Sequence, residues 1–290
     1  MHRLPTLMLL AALTALLLWA GLTLGGRAGL GFALAFAAVM NVGVYWFADE
    51  IVLRMHHAQE LTPAEAPEIQ EIVRRLARRT GLPIPKLYRI PEEAPNAFAT
   101  GRDPEHGVVA VTDGLRRLLG REEIAGVIAH ELAHIQHRDT LVMCVAATLA
   151  GALGMLANAA MWGSLFGSGR SSGDSEHHSH PLSGLLGILI APLAATLIQM
   201  AISRAREFSA DETAARVTRN PLALASALLK IENGARELHM NSASSATAHL
   251  FIQNPFQGGG LLRLFVTHPP TAARVQRLEA MAIRPLAVAT

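Results

Sequence analysis

The sequence predicts a mainly α-helical fold with a small β-sheet, in which four transmembrane helices accompany a polar domain built from two separate stretches of chain. Three observations predict it. The 290 residues are 51% hydrophobic and only 17% charged, against about a quarter charged in an ordinary soluble domain. The apolar excess is gathered into four uncharged runs, residues 6–26, 28–48, 140–169 and 182–203, each long enough to cross a bilayer as a helix of roughly 20 residues. The polar remainder has helical periodicity, with three short β-type segments.

The first two runs are separated only by Arg27 and its glycine neighbours, which reads as a tight hairpin. The start, Met-His-Arg, is weakly basic, no small-x-small cleavage site precedes Arg27, and a second span follows at once. Residues 1–48 are therefore expected as a retained transmembrane hairpin and not a cleaved signal peptide. The last two runs form a second hairpin, residues 140–203, around a polar loop at 170–181. Glycine and alanine are frequent there, as in close-packed membrane helices. Residues 49–139 and 204–290 then share one side of the membrane. Arg3, Arg54, Arg138, Arg204, Arg206, Arg216 and Arg219 lie on that side, and Arg27 and Arg170 on the other, so the polar side is expected to be cytosolic. Net charge is +2, too mild to imply nucleic acid as a partner. The one cysteine, Cys144, excludes an intrachain disulfide and a cysteine metal cluster. It lies in an apolar run and reads as a buried, inert thiol.

Within the first polar part, Thr62-Pro63-Ala64-Glu65 resembles a capping-box start. A helix with Ile69, Ile72, Val73 and Leu76 on one face should follow and end at Gly81-Leu82-Pro83. Arg74, Arg75, Arg78 and Arg79 read as a solvated face favoured by the helix dipole, with anionic lipid headgroups as the alternative contact. Residues 86–90, 96–100 and 108–111 read as strands, and 221–238 and 271–282 as helices.

The chemistry is concentrated at His130-Glu131-Leu132-Ala133-His134, an H-E-x-x-H pattern on a helix expected from about Glu122. Two histidines one turn apart share a face and can grip one Zn²⁺ ion, while Glu131 can take a proton from water that the metal activates. A catalytic zinc site needs a third protein ligand and an open position. Just after the fourth run, Glu207 and Asp211 are spaced to share a helical face. Glu207 is assigned as the ligand. Asp211 is assigned as the carboxylate that accepts an N–H from a ligating histidine. An up-and-down hairpin returns the chain to its starting side, so residues before the third run and after the fourth can meet. One zinc ion per chain with a glutamate base suits amide hydrolysis.

His130-Glu-Leu-Ala-His-Ile-Gln-His-Arg-Asp139, followed across a membrane hairpin by Arg206-Glu-Phe-Ser-Ala-Asp211, resembles the HtpX family of membrane zinc endopeptidases, whose wider relatives include the CAAX prenyl proteases. The resemblance covers nearly the whole chain. It implies a zincin-like, gluzincin-type cytosolic catalytic domain in a bacterial inner membrane. It also implies polypeptide substrates, chiefly damaged or misassembled membrane proteins, and a part in quality control under stress. Asn96-Ala97-Phe98-Ala99 is similar to the family's strand at the cleft edge, where an extended substrate pairs by main-chain hydrogen bonds. His268, with Arg274 after it, resembles the late motif whose histidine steadies the tetrahedral oxyanion.

Two features depart from that pattern. His177, His178 and His180 fall in the polar loop and read as exposed, with a second metal site as the alternative. Residues 239–260 are low in charge and rich in Ser, Ala and Gly, and read as a mobile loop over the cleft. Two other functional readings stay open: a protease cutting inside the bilayer, and an inactive metal-binding scaffold. Arg121, Glu122, Glu123, Arg138 and Asp139 bracket the motif with charge, which favours a site at the membrane edge, and Glu131 favours an enzyme.

Overall fold

The computed structural model describes residues 4–143, 145, 204–237 and 269–283. Cys144, the loop at 170–181 with its histidines, almost all of the second hairpin, the 239–260 segment and His268 lie outside the described residues.

The chain opens with α1 (Leu4–Met55), which is two helices joined at Gly26, where φ is 56° and ψ −142°. A side chain pays a steric penalty in that left-handed region, and glycine does not. Asn41 Nδ2 donates to Thr14 Oγ1 at 2.9 Å. Along a straight helix those residues would be about 40 Å apart, so the two halves fold back on each other. Gly26–Phe47 is long and apolar enough to cross a membrane, and it is the one such helix among the described residues. Phe32 and Val39 on it are 77% and 71% exposed, a pattern at home in lipid and costly in water.

The helix runs on past residue 48, where the membrane hairpin was expected to end, to Met55. Its last turns bury Val52 and Leu53 against Ile90, Ala94, Phe98, Val108, Ala110 and Met143. The membrane-length segment is thus continuous with a hydrophobic core of the polar domain.

A four-stranded sheet follows: β1 (Gln59–Glu60), β2 (Lys86–Ile90), β3 (Ala97–Thr100) and β4 (Val108–Thr112), in the order β1-β2-β4-β3. β2 and β4 are parallel, while β1–β2 and β3–β4 are antiparallel. Both faces are covered. Val108 and Ala110 face the end of α1, and Val109 and Val111 face the main core with α2 and α4, which is why β4 is apolar without alternation. α2 (Pro67–Thr80) buries Ile69, Ile72, Val73 and Leu76 and ends at Gly81 with φ 69°. The Thr62–Glu65 contacts form, with Glu65 Oε2 accepting from the Thr62 N–H and Oγ at 2.9 and 2.7 Å. They close a turn that precedes the helix, however, because Pro67 at its first position sets the true start. The four arginines of its second half are exposed.

α3 (Asp113–Leu118), capped by Thr112, leads into α4 (Arg121–Gln136). Every residue of α4 from Ile124 to Ile135 is buried, so this helix is the axle of the domain. It packs against α2, β3, α5 (Arg204–Thr218) and α6 (Pro221–Glu237). Glu123 fastens its first turn, accepting from the Gly120 N–H at 2.8 Å, Ser226 Oγ at 2.6 Å and Lys230 Nζ at 2.7 Å. α7 (Thr271–Ile283) packs on α5 and α6.

Gly114 is pressed against the segment that feeds β3. A Cβ there would lie 1.8 Å from the carbonyl oxygen of Glu93. Gly114→Ala should displace residues 91–95 and destabilise the domain by about 2 kcal/mol or more. Thermal unfolding of the detergent-solubilised chain checks this. An unchanged midpoint would contradict it.

Candidate metal centre

Helical rotation brings His130 and His134 to one side of α4, and α5 lays Glu207 across them. His130 Nε2 and His134 Nε2 are 3.2 Å apart. Glu207 Oε2 is 3.7 Å from the first, and Oε1 is 3.5 Å from the second. Ligands held 2.0–2.1 Å from a tetrahedral ion are themselves separated by about 3.3 Å. The three donors therefore fit the edges of one coordination tetrahedron. His130, Glu131, His134 and Glu207 are each no more than 3% exposed, so the group is closed off from solvent.

The other ring nitrogens show why the Nε2 atoms converge. His130 Nδ1 lies 3.0 Å from Asp211 Oδ1, and His134 Nδ1 lies 3.3 Å from Asp139 Oδ2. When each Nδ1–H donates to its carboxylate, each Nε2 presents a lone pair inward. Two buried acceptors 3.2 Å apart repel unless a cation or a proton lies between them. Asp211 is held in turn by Arg274, whose Nε and Nη2 donate at 2.8 and 2.7 Å to its two oxygens. Arg274 is fully buried. Burial pushes the Asp211 carboxyl up, but Arg274 and His130 outweigh it and hold it down at about 2.

Glu131 accepts a hydrogen bond from the Ala99 N–H. Burial drives its carboxyl above the ordinary range, against the pull of both imidazoles and that N–H. For His134 burial works downward, but the Asp139 hydrogen bond and the charges of Glu207 and Glu131 prevail and raise it to about 9.

β3 is the edge strand of the sheet. The Asn96 N–H donates to Thr112 Oγ1, and its carbonyl accepts from the Thr112 N–H, so Asn96 and Phe98 bond toward β4. Ala97 and Ala99, alternating with them, turn their main-chain groups away from β4; the Ala97 N–H donates to Asn96 Oδ1 at 3.0 Å and the Ala99 N–H to Glu131. Of the residues singled out in the sequence, His130, Glu131, His134, Glu207, Asp211 and Arg274 thus fall together with Ala99 beside them, Phe98 packs on the other face of the sheet against the end of α1, and His268 lies outside the described residues. Two partners were missed. Asp139 was read only as charge bracketing the motif, yet it is 6% exposed and meets His134. Arg206 Nη1, 3.6 Å from Asp139 Oδ1, was quoted in the motif and read as a basic flank, with no role toward Asp139.

Comparison with known proteins agrees with this geometry. The model of peptidase family M48 matches residues 63–282. A protease HtpX homolog of Syntrophobacter fumaroxidans is 53% identical over 96% of this chain and 99% of its own. The protease HtpX of Legionella pneumophila is 51% identical over 97% and 99%. The crystal structure of S. mikatae Ste24p superposes with a TM-score of 0.51 at 19% identity, covering 96% of this chain, which spans 65% of that longer protein. The similarity to Ste24p speaks for the fold, and the family match and the half-identical full-length relatives for the activity: the chain belongs to peptidase family M48 and is a metallopeptidase.

Proposed function

We propose that the chain is a zinc-dependent endopeptidase anchored in a bacterial inner membrane. Its catalytic domain faces the cytosol, and it hydrolyses polypeptides, chiefly damaged membrane proteins. The observation that carries the zinc reading is the pair of inward-facing Nε2 atoms 3.2 Å apart with Glu207 across them. A His₂Glu set of neutral and anionic donors suits zinc. His130, His134 and Glu207 hold the ion. Bound zinc supplies Lewis acidity toward a peptide carbonyl and acidifies water to a pKa of about 7. Glu131 takes the proton of the attacking water and returns it to the leaving amine nitrogen. Its raised carboxyl brings the base closer to neutral pH, where such transfers are efficient. Asp211 and Arg274 fix the tautomer of His130. Substrate pairs with the edge of β3, and His268 steadies the oxyanion. Residues 1–48 and 140–203 form the two membrane hairpins. A buried carboxylate beside the donor set favours an enzyme over an inactive scaffold.

Glu131→Gln should keep one equivalent of metal while lowering kcat by about 10²–10⁴. Glu207→Ala should lose the metal. Metal analysis with casein cleavage in parallel checks both, and full activity and metal in Glu207→Ala would reject the third ligand.

Metal loading should also release a proton. In the metal-free protein the imidazolium of His134 is favoured, with its pKa raised from 6.5 to about 9. Its stabilising effect is complete below 6.5 and is lost as pH rises through about 9. Zinc requires the neutral ring, so apparent affinity should rise about tenfold per pH unit across that window from this group alone. Calorimetry at pH 7 in buffers of different ionisation enthalpy should find about one proton released per ion. A value near zero would contradict it.

A further inference from the structure

The two proposed metal-binding histidines are backed by parallel chains of contacts that differ in build. Behind His130 stand Asp211 and Arg274, with a two-pronged pairing at 2.7–2.8 Å and an arginine fully out of solvent. Behind His134 stand Asp139 and Arg206, with contacts of 3.3 and 3.6 Å, and side chains 8% and 23% exposed. The first chain ties α4 to α5 and α7. The second also joins α4 to α5, but at the very ends of the intervening segment. Asp139 is the last residue before the apolar run that starts at residue 140, and Arg206 lies in the first turn of α5, after the run that ends at 203.

The backbone shows how Asp139 reaches the ring. α4 ends at Gln136, and the Arg138 N–H closes a short turn on the Ile135 carbonyl at 3.1 Å. Arg138 then takes φ 60°, a left-handed conformation rare outside glycine. That single residue breaks the helix, and beyond it the Asp139 carboxylate meets the His134 ring at 3.3 Å. The next residue is held in turn: Thr140 Oγ1 donates to the Gly101 carbonyl at 2.9 Å, and both it and Asp139 are buried.

We propose that Asp139 is a positioning residue for His134, that Arg206 holds Asp139 in place, and that the pair couples His134 to the contact between the two flanks of segment 140–203, as Asp211 couples His130. Asp139 fixes the tautomer by accepting from Nδ1, which leaves Nε2 to face Glu207. Arg206 keeps the carboxylate aimed. His130 is backed by a buried bidentate pair, whereas His134 is backed by longer and more exposed contacts, so His134 is the less firmly held of the two rings. This inference rests on the metal-site reading above.

The test uses the full chain in detergent micelles or nanodiscs, with zinc affinity measured by chelator competition and the d–d spectrum of the cobalt(II)-loaded protein as the second readout. Asp139→Ala should weaken zinc binding about 10- to 100-fold, the usual effect of removing such a partner, and should shift the cobalt spectrum. Arg206→Ala should weaken it by a smaller factor, about threefold or more, and Arg206→Lys should recover most of the loss. Arg206→Ala should add no further loss in an Asp139→Ala background, because the arginine acts through that carboxylate. If Asp139→Ala fails to fold, as judged by thermal unfolding of the metal-free form, Asp139→Asn keeps the shape, removes the charge and should show the weakened binding. Wild-type affinity and spectrum in the Asp139 variants would overturn the proposal while leaving the metal site intact. Equal losses from Arg206→Ala in both backgrounds would overturn the coupling. A wild-type chain that binds no zinc would bring down the metal-site reading and this inference together.

Discussion

The structure depends on a charge imbalance closed inside a protein core. Four carboxylates, Glu131, Asp139, Glu207 and Asp211, surround two imidazoles and are met by two guanidinium groups, Arg206 and Arg274. With all four ionised the sum is −4 and +2, a deficit of two charges. Taking charges out of water costs several kcal/mol each unless they are compensated. A divalent cation at the meeting point of His130, His134 and Glu207 brings the sum to zero. Without one, the protein has only protons to use, and the raised His134 shows where the first goes. The same imbalance that makes the empty group unfavourable makes it selective for a doubly charged ion over a singly charged one.

Such a group needs a rigid frame, because its donors come from distant parts of the chain. α4 supplies two of them on a helix buried along nearly its whole length, where neighbours on every side prevent it from rotating. α5 supplies Glu207 and Asp211 one turn apart, and its buried face is otherwise alanine: Ala210, Ala214 and Ala215. Small side chains let α5 lie close to α4, and close approach is what brings a short glutamate within reach of both imidazoles. α6 comes equally near at Gly126, where an added Cβ would lie 3.1 Å from the backbone of Leu224. The end of α1, burying Val52 and Leu53 under the sheet, carries this rigidity to the membrane-length helix.

Much of this was legible in the sequence, and what was not has physical reasons. H-E-x-x-H and the pair Glu207 and Asp211 encode their geometry locally, since helical spacing alone puts each pair on one face. Their meeting followed from the parity of the apolar runs. Asp139 was illegible because its approach depends on one left-handed residue, Arg138, and no side-chain pattern marks an arginine that will adopt that conformation. Arg206 was hidden for the opposite reason: basic residues are expected at a membrane flank, so a structural role looked like an ordinary one. Arg274 could be singled out only by resemblance, since a lone arginine in an amphipathic helix gives no hint that it will be fully buried. α3 and β1 were missed because six and two residues are too short for periodicity to show.

Glu131 and the edge of β3 share a hydrogen bond that links binding to reactivity. The Ala99 N–H points away from β4 and donates to the Glu131 carboxylate, which lowers its basicity. A strand added along that edge brings carbonyl groups that compete for the same N–H. An extended chain paired there would lie beside the buried carboxylate, so the strand that binds a peptide would also set which of its amides faces Glu131.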